Sequence, residues 1–161
     1  AQLRVEEKPL LDDLAAIGVL AESAWHLRGR PNYDEHIFPI LLTHLMRPYS
    51  APIKEGIARA FGVKSARTFV WDSLLGMIKT HAVDRAAATG LMFSISEMAR
   101  PSDLEALIEL IRDSSLGSDR VFLVSNLARS KRPQARAALL DLQEDPDLAN
   151  EISARLKTSK T

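Results

Sequence analysis

The chain contains no cysteine, which excludes disulfides, thiolate nucleophiles and zinc-thiolate centres and agrees with a reducing, cytoplasmic setting. Neither sign of charge prevails: Lys and Arg number 21, and Asp and Glu number 21. No global field is therefore available to hold a nucleic acid or an anionic membrane, and any such contact needs a local patch. Long apolar runs are missing, because charges or prolines interrupt each one well short of a membrane span. The segment from Ala1 to Lys8 lacks a signal-peptide pattern, and the missing initiator Met leads us to expect a trimmed N-terminus. No stretch combines two-residue alternation with β-branched enrichment and hairpin turns, so no strand is expected. Phosphate-binding glycine loops, nucleophile elbows and dinucleotide fingerprints are also lacking, since the glycines read as scattered helix ends.

What the chain does contain is an ordinary globular composition, 46% hydrophobic and 26% charged over 161 residues. That length suits one domain covering residues 1–161. Within it a pattern repeats. Leu41-Leu42-Thr43-His44-Leu45, Leu74-Leu75-Gly76-Met77-Ile78, Leu107-Ile108-Glu109-Leu110-Ile111 and Leu139-Leu140-Asp141-Leu142 share one apolar rhythm, with first residues 33, 33 and 32 positions apart. Periods of this size mark stacked supersecondary units. Each copy reads as the second half of a helix pair, because a second apolar stretch with helical spacing precedes it and turn residues separate the two, so the unit is a helical hairpin.

The turn chemistry supports this division. Ile53, Ile57, Ala60 and Phe61 form a stripe that begins after Ser50, an expected N-cap, and Pro52, and ends at Gly62. Ala87, Leu91, Ile95 and Met98 form the next stripe after Asp84, and Val124, Leu127 and Ala128 the third after Ser118 and Asp119. Pro101, Pro133 and Pro146 stand at or just before the following helices, where a missing amide hydrogen costs least. Ser102 or Asp103 is expected to cap the helix carrying Leu104, Leu107, Ile108 and Ile111. Towards the N-terminus, Pro9 to Ile17 reads as a short helix stopped by Gly18, and Glu22 to Leu27 as another stopped near Gly29 and Pro31. These form an N-terminal cap over residues 1–32, in which Trp25 covers the open end of the first repeat. Repeats follow over 33–157, with a frayed tail at 158–161.

The run Val83-Asp84-Arg85-Ala86-Ala87-Ala88-Thr89-Gly90-Leu91, followed by Asp103-Leu104-Glu105-Ala106-Leu107-Ile108-Glu109-Leu110-Ile111-Arg112-Asp113, resembles the short bacterial HEAT repeats, also called phycobiliprotein-lyase HEAT-like repeats. The Asp-Arg pair recurs at Asp119-Arg120, and Pro39 matches the proline often found in the first helix of such units. The resemblance spans roughly Tyr33 to Leu156. It implies an all-α, right-handed α-α superhelix, a solenoid of about four helical hairpins. One hairpin cannot bury its apolar faces alone, so neighbours stack and curve. Tetratricopeptide and ankyrin arrays share the period but not the residues: neither a Trp-Leu-Gly-Tyr pattern nor a Thr-Pro-Leu-His string is present.

In HEAT-like stacks the second helix of each pair, in the usual convention, lines the concave side, and here that set is expected to start near Pro52, Asp84 and Asp119. Helical spacing places Glu55 and Arg59, then Phe93 and Glu97, then Phe122, Ser125, Asn126 and Arg129 opposite the apolar stripes. Aromatic and Arg side chains supply most interface energy, so Glu55, Arg59, Phe93, Glu97, Phe122, Asn126 and Arg129 are the candidate partner-binding residues. The competing reading puts Phe93 and Phe122 in the core. Asp84 and Asp119 read as helix-start acceptors of amide hydrogens, each followed by an Arg able to pair with a neighbouring repeat's Asp. His26, His36, His44 and His81 lack metal-ligand spacing and read as surface or capping residues. No catalytic residue, metal or cofactor is expected.

Between Arg47 and Arg85 seven basic residues face three acidic ones, and Arg129 to Arg136 contributes four more basics. Some HEAT-like proteins grip DNA on a basic concave face, alkyl-base DNA glycosylases among them. The expected function is therefore a non-catalytic protein-binding module of adaptor, regulator or immunity type. A nucleic-acid-binding protein of the glycosylase type, or a chromophore-lyase-like protein, is the alternative.

Overall fold

A computed structural model of the chain describes residues 2–28 and 35–158. The expected stop near Gly29 and Pro31, the first positions of the repeat region and the last positions of the tail lie outside those residues. The described residues are helical, with no strand among them. They form two compact units, Ala1–Met98 and Ala99–Thr161.

The first unit contains α1 (Gln2–Glu6), α2 (Lys8–Ala16), a 3₁₀ turn at Ala24–Leu27, α3 (Ile37–Leu45), α4 (Ala51–Arg59), a 3₁₀ turn at Lys64–Ala66, α5 (Arg67–Lys79) and α6 (Arg85–Met98). Gly18, at φ 83°, takes the left-handed conformation that ends α2. His81 does the same after α5 at φ 52°, a conformation that costs little for Gly and more for a branched residue. Leu41 in α3 and Leu74 in α5 are fully buried, as are Ile57 and Phe61, Leu91 and Ile95. The stripes read from the sequence thus form the core of this unit.

The second unit opens on a 3₁₀ turn at Pro101–Asp103, followed by α7 (Leu104–Arg112), a 3₁₀ stretch at Ser114–Leu123, α8 (Val124–Arg129), α9 (Pro133–Asp141) and α10 (Ala149–Thr158). Leu107 in α7 and Leu139 in α9 are buried. Leu41, Leu74, Leu107 and Leu139 thus lie buried in α3, α5, α7 and α9.

Four local expectations are corrected. Asp119 does not open a regular helix: Ser114–Leu123 is 3₁₀ in two pieces, broken where Gly117 turns to φ 66°, ψ −148°. Asp103 does not cap α7; its carboxylate reaches back to the amide of Arg100 at 2.7 Å. Ser50 precedes α4 without capping it, and its buried hydroxyl has no hydrogen-bond partner. The Glu6 carboxylate instead accepts the Ser50 amide. Gly56, Gly76 and Gly90 lie inside α4, α5 and α6, not at helix ends.

Two of those glycines permit close approaches. A Cβ on Gly90 would stand 2.5 Å from the Ala58 Cβ and 2.8 Å from the Glu55 carbonyl oxygen. Helix α6 therefore lies directly on the α4 backbone there, and the buried Ser94 hydroxyl donates to the Ala58 carbonyl at 2.6 Å. A Cβ on Gly56 would meet the Trp25 ring at 2.8 Å. Small residues on a shared ridge let two helix axes come together.

Candidate functional site

The close packing of α4 and α6 sets the position of everything on their outward edges. Trp25, at the 3₁₀ turn Ala24–Leu27, lies over Gly56 and donates its indole hydrogen to the Pro52 carbonyl at 2.9 Å. It covers the start of α4 while leaving 37% of its own surface exposed. One turn beyond Gly56, the Arg59 guanidinium carbon sits 5.9 Å from the Trp25 ring and 4.7 Å from the Phe93 ring of α6. Arg28, exposed just after the same 3₁₀ turn, brings its guanidinium carbon 4.7 Å from the Phe93 ring. Phe93 is thus half-buried against two cations, which an aromatic ring attracts.

Glu55, one turn before Arg59, holds its carboxylate 3.4 Å from the Arg59 Nη2. Glu97 is exposed one turn after Phe93. The structure therefore brings together Glu55, Arg59 and Phe93, adds Trp25 and Arg28, and leaves Glu97 at the margin. Phe93 is neither a core residue nor a free aromatic; its position is shared with the guanidiniums. The Arg28 contribution has no signal in the sequence, because no periodic spacing links it to α4 or α6. Gly56 and Gly90 were the available clues, since a glycine inside a helix commonly marks a close neighbour.

Beside this cluster, Asp84 stands immediately before α6 and accepts the Ala87 amide at 3.1 Å and the Lys54 ammonium at 2.7 Å. Partial burial raises the cost of ionising Asp84, but the Lys54 and Ala87 hydrogen bonds outweigh it and hold the carboxyl below its usual range. This is the expected helix-start role.

The remaining candidates lie in the second unit. Phe122 belongs to the 3₁₀ stretch and Ser125, Asn126 and Arg129 to α8; Phe122, Ser125 and Asn126 are half-buried and Arg129 is exposed. Their neighbour Arg120 is 1% exposed. Its guanidinium donates to the Gly117 and Ile111 carbonyls at 2.8 and 2.9 Å and to Asp145 at 2.9 Å, with Asp147 at 3.4 Å. The sequence reading pairs this Arg with a neighbouring repeat's Asp; its guanidinium forms a buried fork joining the 3₁₀ stretch to the turn before α10. Burial opposes ionisation of Asp145, but the Asp147 amide and Arg120 prevail and lower its pKa.

Of the four histidines, His44 departs from the sequence reading. It is fully buried, with Nδ1 2.8 Å from the Tyr49 hydroxyl and Nε2 2.6 Å from the Asp13 carboxylate. Burial raises the Tyr49 pKa. Among the described residues no group of three or more His, Asp or Glu side chains could hold a metal ion, and no helix is long and apolar enough to cross a membrane. Comparisons of the chain with protein-family models, with curated proteins and with solved structures give no match.

Proposed function

We propose that the chain is a HEAT-like helical-repeat module that binds a protein partner without catalysing a reaction, as an adaptor, regulator or immunity-type protein. Two kinds of observation support this reading. The first is the placement of Leu41, Leu74, Leu107 and Leu139 in alternate helices, as a right-handed stack of about four hairpins requires. The packing of α4 on α6, like on like, is the contact such a stack makes between neighbours.

The second observation carries the functional part. Trp25, Arg28, Arg59 and Phe93 converge on one edge of α4 and α6 and remain partly exposed. Trp and Arg are the side chains most enriched among residues that dominate protein interfaces. Here the rings hold the guanidiniums in place before any partner arrives, so little ordering entropy is lost on binding. Phe122, Asn126 and Arg129 on the second unit are proposed as further contacts.

The test is capture with the tagged chain from its source cells over a range of salt concentrations, repeated with Phe93→Ala and Arg59→Ala. The reading predicts a protein that the native chain retains at moderate salt and both variants lose. Recovery of DNA or RNA, released steeply as salt rises, would replace this reading with the nucleic-acid one. Equal capture by the variants would remove the face from consideration.

A further inference from the structure

Basic residues crowd the corner between α8 and α9: Arg129 ends α8, Lys131 and Arg132 form the link, and Arg136 follows in α9. All four are exposed. The link itself is a defined turn, in which the Ser130 amide donates to the Leu127 carbonyl at 3.2 Å and the Arg132 amide to the Ser130 hydroxyl at 3.3 Å. Arg132 has Glu105 at 3.6 Å, whereas the side chains of Arg129, Lys131 and Arg136 have no ion pair or hydrogen bond among the described residues. The acids that follow them in the chain are taken up elsewhere: Asp141 pairs with Arg112, Asp145 and Asp147 with Arg120, and Glu151 with Arg155. Positive charge is therefore left over at this corner. Helix stabilisation does not account for it. Arg129 stands at a helix C-terminus, where a cation is favoured, but Lys131 and Arg132 precede α9, at the end where the helix field disfavours them. Leu140 lies one turn beyond Arg136 on the same face of α9 and is 44% exposed, the one large hydrophobic side chain of the second unit left so open among the described residues.

We propose that this corner docks an acidic segment of a partner protein, whose carboxylates accept from Arg129, Lys131 and Arg136 while an apolar side chain packs on Leu140. The inference rests on the protein-binding reading above, to which Arg129 already belongs, and names the chemistry of the partner. Uncommitted cations attract any polyanion, and the neighbours decide between them. Glu105 stands at Arg132 and Asp141 directly follows Leu140, so a phosphate backbone continuing past the corner meets carboxylates. Nucleic-acid binders that hold tightly use roughly six to ten phosphate contacts, more than this corner supplies. Leu140 offers nothing to a phosphate, but it gives a peptide the apolar contact that the centre of an interface needs. A second copy of the chain is a poor occupant, because in its acidic run from Asp141 to Glu151 the carboxylates of Asp141, Asp145, Asp147 and Glu151 are already paired.

The test uses the full chain and short fluorescein-labelled synthetic peptides read by anisotropy. One pool carries Asp and Glu around a Leu, and a second carries Asn and Gln in their place. The acidic pool is expected to bind about tenfold more tightly, and the combined variant Arg129→Gln/Lys131→Gln/Arg136→Gln to lose that advantage. Arg4→Gln/Lys8→Gln/Lys157→Gln removes the same charge from exposed positions outside the corner and should keep it. Leu140→Gln should weaken the acidic pool about threefold and leave unchanged an acidic peptide that lacks the Leu. Every substituted side chain is exposed, and circular dichroism checks that the variants fold. Equal affinity for the two pools, full affinity in the corner variant or in Leu140→Gln, or an equal loss in the control variant overturns the proposal, as does tighter binding of an oligothymidylate or of phosphatidylserine vesicles. A protein whose capture from source cells is lost with Phe93→Ala but kept by the corner variant would preserve the protein-binding reading and defeat this assignment.

Discussion

Replacing Gly90 by Ala tests the packing on which the candidate face depends. The added methyl would stand 2.5 Å from the Ala58 Cβ, 2.8 Å from the Glu55 carbonyl oxygen and 3.2 Å from the Arg59 amide nitrogen. Two of those atoms belong to the α4 backbone, so no side-chain rotation relieves the clash and the helices must move apart. Overpacking of this kind costs about 1–3 kcal/mol, and contacts with backbone that cannot rotate away place it in the upper part of that range, at about 2–3 kcal/mol. Ala gains about 1 kcal/mol over Gly in a helix interior, which leaves a net loss of about 1–2 kcal/mol. At 2–4 °C per kcal/mol for a chain of this size, Tm falls by roughly 2–8 °C. Gly76 supplies the control. It lies inside α5 with nothing within 4 Å of its would-be Cβ, so Gly76→Ala should raise stability by about 0.4–1 kcal/mol. Urea unfolding followed by circular dichroism reads both variants. A Gly90→Ala protein as stable as the native chain would refute the close approach of α6 to α4. The same substitution should also weaken partner capture, because Arg59 and Phe93 belong to the helices being separated.

Further expectations concern charge and capping. Arg120→Met leaves Asp145, Asp147 and two carbonyls without their donor and should cost about 3 kcal/mol in denaturant unfolding; Arg120→Lys should recover less than half, because an ammonium cannot span the same acceptors. Asp84 and Asp145 have folded pKa values below their unfolded ones. Their stabilisation is complete above the unfolded value of about 3.9 and is lost as pH falls through the folded values. Asp84→Asn should flatten that acid limb in a pH series of Tm. Glu7 is the opposite case: its burial, only partly offset by the Ala24 amide, raises its pKa. Between the unfolded value of about 4.3 and the raised folded value, stability falls as pH rises. Glu7→Gln should therefore gain on the native chain as pH increases through that window. Ser50→Ala should change stability by less than about 0.5 kcal/mol, since its hydroxyl caps nothing. Asp84→Ala should lose about 1 kcal/mol with its cap, and equal effects in thermal unfolding would contradict the assignment.

The elements formed by local pattern were readable in advance. The stripes around Ile57 and Leu91 and the helix start at Asp84 depend on neighbours within one or two turns, and the structure places them accordingly. What escaped the sequence depends on contacts between distant segments. His44 reads as a surface residue until α2 brings Asp13 and the turn before α4 brings Tyr49. Ser50 has the right chemistry for a cap, but Glu6, 44 residues away in sequence, satisfies its amide. The 3₁₀ geometry of Ser114–Leu123 follows from Gly117 together with the Arg120 fork, whose acceptors lie on both sides of it. In the candidate site, helical spacing found Glu55, Arg59 and Phe93. It had no means of adding Arg28, which reaches Phe93 from a turn 65 residues earlier in the chain.

Site-directed photocross-linking tests the binding face most directly. A benzoylphenylalanine placed at Glu97, exposed one turn from Phe93, should give a discrete cross-linked protein in source cells. That product should vanish when Arg59→Ala is added, whereas the same group at exposed Thr68 on α5 gives none. A product that survives Arg59→Ala, one shared with position 68, or one containing nucleic acid would contradict recognition of a protein through this edge of α4 and α6.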